Sequence, residues 1–177
     1  RAEALVIHIH VYDPDTGQQF ENFDAYRAVI EGIREYEDVI VYPTLPLSGF
    51  GKTDQIFTAE ARFKTVEKLA KAGLLEWSVI DPGTTQITEL DPTNSEQVQF
   101  LYINSEAEIR YGLELASRYN FVPSFAIYEP GFLRLGATLS RNIKGCPRPI
   151  YRFMFSDKFC FGFPAEEIYL LAYIDLL

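Results

Sequence analysis

Cysteine is scarce. Only Cys146 and Cys160 occur in 177 residues. They form no CxxC pair, so a disulfide framework and a cysteine-rich zinc site are excluded, and the thiols suit a reducing cytoplasm. No apolar run approaches the ~18 residues that a membrane span requires. Positive charge is also short. Sixteen Lys and Arg face 25 Asp and Glu, for a net charge of -9 without a compensating basic run. That balance argues against a phosphate-backbone partner. The chain opens on Arg1-Ala2-Glu3, without a signal-peptide pattern. A cytoplasmic location is expected, with neither nucleic acid nor membrane as a partner. Gly49-Phe50-Gly51-Lys52-Thr53 looks like the end of a phosphate-binding loop, but the glycine required five residues before the Gly-Lys pair is Pro46, which has no N–H. Asp13, Asp15 and Gly17 have the wrong spacing for a calcium loop and no closing Glu, so they read as a turn.

What remains is an ordinary globular composition, 47% apolar and 23% charged, rich in Phe and Tyr. The length suits one domain over residues 1–177. The only two histidines stand in one stretch, Ala4 to Val11, otherwise apolar and mostly β-branched, ending at the turn cluster Asp13 to Gly17. That is the profile of a buried strand with a loop at its C-terminal end. His8 and His10 are two residues apart, so on a strand both point to one side. Two imidazoles so placed can converge on one cation, although two satisfied core histidines would read the same way.

The rest of the chain alternates strand and helix. A helix over about residues 22–36 carries Tyr26, Val29, Ile30 and Ile33 on one stripe. A strand from Asp38 to Tyr42 leads to a loop from Pro43 to Gly51. Thr58 caps a helix stopped by Gly73. Leu75 to Ile80 is a strand ending at Asp81-Pro82-Gly83-Thr84-Thr85. Thr88 to Glu96 reads as a loop, and Val98 to Ile103 as a short extra strand. Ser105 and Glu108 form a capping box for the next helix. Phe121 to Tyr128 is a strand, residues 131–142 a helix weakened by Gly136, Pro149 to Phe155 a strand, and a last helix follows Pro164 with Ile168, Leu171 and Ala172 on its apolar face. This pattern predicts an α/β fold with a parallel sheet, either doubly wound or a (β/α)8 barrel. Both put ligand chemistry at the C-terminal ends of strands, where the polar clusters fall. The five main strands are too few for a barrel of eight, so the chain is expected to be part of a longer one. A mononuclear site of two histidines and one carboxylate is what the inventory permits, with Asp13, Asp81 and Glu129 as the strand-end acids.

Four segments carry a specific resemblance: Val6 to Gly17, Tyr42 to Gly49, Asp81 to Thr84, and Pro123 to Arg134. In order along the chain they resemble the β-keto acid cleavage enzymes, which include the 3-keto-5-aminohexanoate cleavage enzyme. The resemblance implies a (β/α)8 TIM barrel, of which this chain supplies about strands 2–6, leaving the barrel incomplete. It implies one Zn2+ on His8 and His10, with the third protein ligand, a Glu, outside this chain. It implies acyl exchange between a β-keto acid and acetyl-CoA as co-substrate, giving acetoacetate and a new acyl-CoA. The Thr44 to Gly49 loop matches the family's substrate-carboxylate loop, which makes Thr44, Ser48 and Gly49 substrate-binding candidates. Thr84 or Thr85 matches a hydroxyl that faces the substrate. Tyr12 stands where many members have Arg, which points to a different substrate preference. Ser124 and Ala126 stand where members often carry Glu, leaving Glu129 as the nearest acid. A different mononuclear metal-dependent barrel hydrolase or aldolase is the alternative, separated by acetyl-CoA dependence. A truncated barrel with structural histidines is a third. Aromatics near the last helix lead us to expect a homo-oligomer.

Overall fold

A computed structural model describes residues 5–52, 54–91, 93 and 98–177. The fold is mixed α/β. It opens with β1 (Val6–Ile9) and α1 (Phe23–Arg34), the latter capped by Asn22, whose side chain accepts from the Ala25 N–H at 3.0 Å. Then come β2 (Ile40–Pro43), the short β3 (Gly49–Phe50), α2 (Ala59–Arg62) and α3 (Lys64–Lys71). After β4 (Trp77–Val79), β5 (Thr85–Thr88) and β6 (Gln99–Tyr102) form a hairpin-like pair. The chain finishes with α4 (Glu106–Tyr119), β7 (Val122–Ile127), α5 (Pro130–Asn142), β8 (Ile150–Phe153) and α6 (Glu167–Asp175).

The parallel strands run in chain order. β1 pairs with β2, placing His8 opposite Tyr42, and β4, β7 and β8 form a second ladder with Ala126 opposite Arg152. β2 and β4 lie side by side without forming a ladder. β3, β6 and β5 make a separate antiparallel sheet. The described residues therefore close no barrel: the parallel strands form two separate ladders, whose outer strands β1 and β8 do not pair with each other.

Strand alternation separates helix side from cavity side. Ile7, Ile9 and Val41 pack with Tyr26 and Ile30 of α1. Phe125 and Ile127 of β7 join Leu113, Leu133 and Leu139 of α4 and α5 in the main core. The opposite parity (His8, Ala126, Arg152) faces a cavity. Gly136 belongs in α5 because there is no room for a side chain. A Cβ there would lie 2.7 Å from Phe125 and 2.8 Å from Pro82, so the helix can seat directly on β7.

Four expectations are corrected. The first strand is not buried. Ala4 lies outside the described residues, Leu5 is 74% exposed and Val6 39% exposed, because β1 has a partner on one edge only and only Ile7 and Ile9 have a helix over them. The loop after β2 contains β3, which pairs with β6. The loop expected to start at Thr88 is preceded by β5, which pairs with β6, while Pro92 and residues 94–96 lie outside the described residues. In α6 the buried residue is Tyr173, while Ile168, Leu171 and Ala172 are exposed. That helix is apolar nearly all round, so periodicity cannot choose its face. Stacking of Tyr173 on Phe153 at 4.9 Å, with Phe155 and Phe163 alongside, chooses it. The turn reading of Asp13 holds: its Oδ1 accepts from the N–H groups of Asp15 and Thr16, each at 2.9 Å, and Gly17 takes the left-handed conformation.

Candidate active site

A cavity of about 990 Å3 opens at the C-terminal ends of β1, β2, β4 and β7. His8 and His10 share one wall. Their ring centroids are 5.0 Å apart at an interplanar angle of 82°. His8 packs on Tyr42 at 4.8 Å, and His10 stacks on Tyr12 at 6.3 Å. The Asp13–Gly17 turn folds the chain back so that Tyr12 bridges to Gln19, and the Gln19 side chain then meets His10, Nδ1 to Oε1, at 3.0 Å. With Oε1 as acceptor, Nδ1 carries the proton and Nε2 keeps the lone pair. His8 is held down to about 4, first by desolvation, then by electrostatic interaction with His10 and Arg152, with a hydrogen bond to the Tyr42 backbone opposing. It is neutral at pH 7, as a metal ligand must be.

The facing wall is a buried polar network. Asp81, at the end of β4, accepts from the Tyr102 hydroxyl at 2.7 Å and from the Ala126 N–H at 3.0 Å. Arg152 lies 3.8 Å from Asp81 and donates through Nε to the Ser124 hydroxyl at 2.8 Å. Burial pushes the Asp81 carboxyl up, while Arg152, Tyr102 and the Ala126 N–H oppose. Tyr128 is pushed up to about 12 by burial and by Asp81, so its hydroxyl stays protonated. Behind this wall, Arg62 of α2 reaches the carbonyls of Pro46 (3.0 Å) and Ile103 (3.1 Å), the Glu108 carboxylate (3.1 Å) and the Tyr102 hydroxyl (3.4 Å). At the rim, Glu21 is pushed up to about 7 by desolvation, against hydrogen bonds from Thr65 and Gln19.

Of the residues expected from the sequence, His8, His10, Tyr12, Thr44 and Asp81 line the cavity together, while Asp13 stays in its exposed turn. The others do not line it. Ser48 is fully buried, and Gly49 packs so tightly on β6 that a Cβ would lie 1.7 Å from the Leu101 carbonyl oxygen. Thr84 Oγ1 braces Asn104, donating to its carbonyl and accepting from its N–H. The Thr85 hydroxyl donates to Glu129 at 3.3 Å, and Glu129 accepts from the Gly162 N–H at 3.1 Å, which ties the end of β7 to the segment before α6. Gln19, Glu21, Tyr102, Tyr128 and Arg152 line the cavity although the sequence singled out none of them. Only Gln19 left a signal, since a tight turn after Tyr12 implies a residue pairing back.

The donor set fits a metal in part. Two imidazoles stand on one wall, one of them with its tautomer fixed, but among the described residues no group of three His, Cys, Asp or Glu is close enough to hold an ion. Glu21 and Asp81 line the same cavity, and Asp81 is already committed to its own partners. Among the described residues no helix is long and apolar enough to cross a membrane. A family model described as beta-keto acid cleavage enzyme matches residues 1–176. No curated protein matches the chain.

Proposed function

The chain belongs to the beta-keto acid cleavage enzyme family, and we propose that it works by acyl exchange, taking a β-keto acid and acetyl-CoA to acetoacetate and a new acyl-CoA, at a zinc ion held by His8 and His10. The observation that carries this reading is the pairing of the two histidines on one cavity wall, 5.0 Å apart, with Gln19 leaving the His10 Nε2 free. The family supports cleavage of a β-keto acid, and the donor chemistry supports the metal. We infer that the third protein ligand comes from outside residues 1–177, and that the five parallel strands, which follow one another in chain order, are an arc of a (β/α)8 barrel.

Bound zinc would supply Lewis acidity to a keto oxygen and stabilise developing enolate charge. The chain's own residues would do the rest. Thr44 offers a hydroxyl beside the histidines, in place of the whole Thr44 to Gly49 loop. Tyr12 stacks on His10. Tyr102 and Tyr128 present protonated hydroxyls, although the first is spent on Asp81. Glu21, near 7 at the rim, is the carboxylate in the cavity best matched to moving a proton at neutral pH. Glu129, Thr84 and Thr85 act through the frame, holding β5, β7 and the Asn104 turn.

Elemental analysis of purified protein and of its His10→Ala variant tests the reading. About one zinc per chain, absent from the variant, is expected. It would be followed by an assay for keto-acid cleavage that depends on acetyl-CoA. Protein that stays metal-free after zinc loading makes the histidines structural and ends the proposal.

A further inference from the structure

Among the described residues Arg152 is the one guanidinium that lines the cavity, and its surroundings leave it with capacity to spare. Its Nε is fixed by the Ser124 hydroxyl at 2.8 Å, and Nη2 reaches the Ser124 carbonyl at 3.4 Å. Nη1 meets no acceptor among the described residues. The nearest carboxylate, Asp81, stays 3.8 Å away and spends its two oxygens on Tyr102 and the Ala126 N–H. The side chain is 31% exposed and lines the cavity it shares with His8 and His10. Space in front of it comes from the small residues Ser124 and Ala126, the latter its direct partner across the β7–β8 ladder. Lys52 also lines the cavity, but its ammonium rides on a loop over the Phe100 ring at 5.4 Å, and among the described residues no hydrogen bond fixes it. Arg152 is therefore the held cation with a free planar edge, and such an edge matches a carboxylate with two parallel N–H···O bonds.

We propose that Arg152 is the specificity-determining residue that binds a carboxylate of the substrate. The proposal rests on the β-keto acid reading of the cavity. It differs from the carboxylate loop suggested by resemblance, because Ser48 and Gly49 of that loop face away from the cavity. Two carboxylates could use Arg152: the one on the reacting keto acid, or a second one at the far end of a dicarboxylic keto acid.

Calorimetric binding to metal-free, chelator-treated protein tests it without requiring turnover. The probes are acetoacetate, with one carboxylate; its neutral ethyl ester; and 3-oxoadipate, with two. Replacing a charged hydrogen-bonding partner is expected to weaken binding about ten- to a hundred-fold. Arg152→Gln should therefore weaken 3-oxoadipate by that factor and leave the ester unchanged. An equal loss for acetoacetate assigns Arg152 to the reacting carboxylate. Unchanged acetoacetate assigns it to the distal one. Unchanged affinity for both acids, or no binding of either acid by the unaltered protein, overturns the proposal. Should Arg152→Gln fail to fold with Asp81 uncompensated, Arg152→Lys keeps the charge but loses the planar edge, and an intermediate affinity is expected; affinity equal to that of the unaltered protein overturns the proposal. Failure of zinc binding with carboxylate binding intact would remove the metal reading and leave this one standing.

Discussion

Arg62→Met should be among the most damaging single changes in the molecule. Arg62 is only 1% exposed, yet its guanidinium serves four oxygens, those of Pro46, Ile103, Glu108 and Tyr102. Met fills a similar volume, so packing is roughly kept. What is lost is the partner of a buried carboxylate, which costs about 3–5 kcal/mol, and a bond to each of two carbonyls, about 1 kcal/mol each if unreplaced. Glu108 retains the Ser105 N–H and hydroxyl through its other oxygen, at 2.8 and 2.7 Å, so part of its solvation survives. We expect a net loss of about 4 kcal/mol, a large share of the roughly 5–15 kcal/mol that holds a domain together. Glu108→Gln, which keeps the capping geometry but leaves Arg62 unpaired, should cost about 3 kcal/mol. The double variant should lose about 2 kcal/mol less than the sum, since each single change strands the other's charge. Urea unfolding followed by far-ultraviolet circular dichroism measures all three. Strict additivity, or a loss below about 1 kcal/mol for Arg62→Met, would refute the claim that this pair fastens the Pro46 loop to the Tyr102–Asp81 wall.

Two further outcomes follow from the same reading. Glu21 keeps its proton to about pH 7 in the folded chain, against an ordinary value of 4.5. The folded state thus binds that proton more tightly, and stability falls as pH rises from 4.5 to 7. The full shift would be worth about 3.4 kcal/mol, but Glu21 is open to solvent on one side, and screening leaves about 1 kcal/mol. Glu21→Gln should therefore match the parent near pH 4.5 and exceed it by about that amount above pH 7; parallel melting-temperature profiles across this range would contradict the raised carboxyl. Gly136→Ala should destabilise by about 1 kcal/mol, because the helix preference gained, about 1 kcal/mol, is outweighed by overpacking against Phe125 and Pro82, about 1–3 kcal/mol; a melting temperature that rises would contradict it.

Local chemistry made much of the fold legible. Thr58 at α2 and the Ser105–Glu108 capping box each mark a helix start by satisfying an exposed backbone N–H, and each stands where the pattern put it. The Val6–Ile9 and Trp77–Val79 strands were visible as β-rich runs, though shorter than read. β5 escaped because Thr85-Gln86-Ile87-Thr88 is half polar and gains strand geometry only from pairing with β6. α6 escaped in its facing, because a helix apolar nearly all round has little periodic signal to read.

The site divides along the same line. His8 and His10 were legible because their relation is set within one strand, by a period of two. Of the facing wall only Asp81 was legible, as a strand-end acid; the rest was not, because its partners are placed from far along the chain. Asp81 meets Tyr102 from 21 residues away and Ala126 from 45, and Arg152 reaches Ser124 from 28. No spacing in sequence encodes these distances; the order of parallel strands does. Glu129 shows the converse case. A carboxylate at the end of a strand has the address of a catalytic acid, but its side chain turns to Thr85 and the Gly162 N–H, where the chain crosses from one sheet to the next. Strand-end position narrows the candidates, and the backbone donors nearby decide among them. Asp81 is drawn inward because the Ala126 N–H and Tyr102 hydroxyl point into the cavity wall, while Glu129 is drawn outward because its donors stand behind it. The cavity wall is thus selected by where hydrogen-bond donors are left over once the strands have paired.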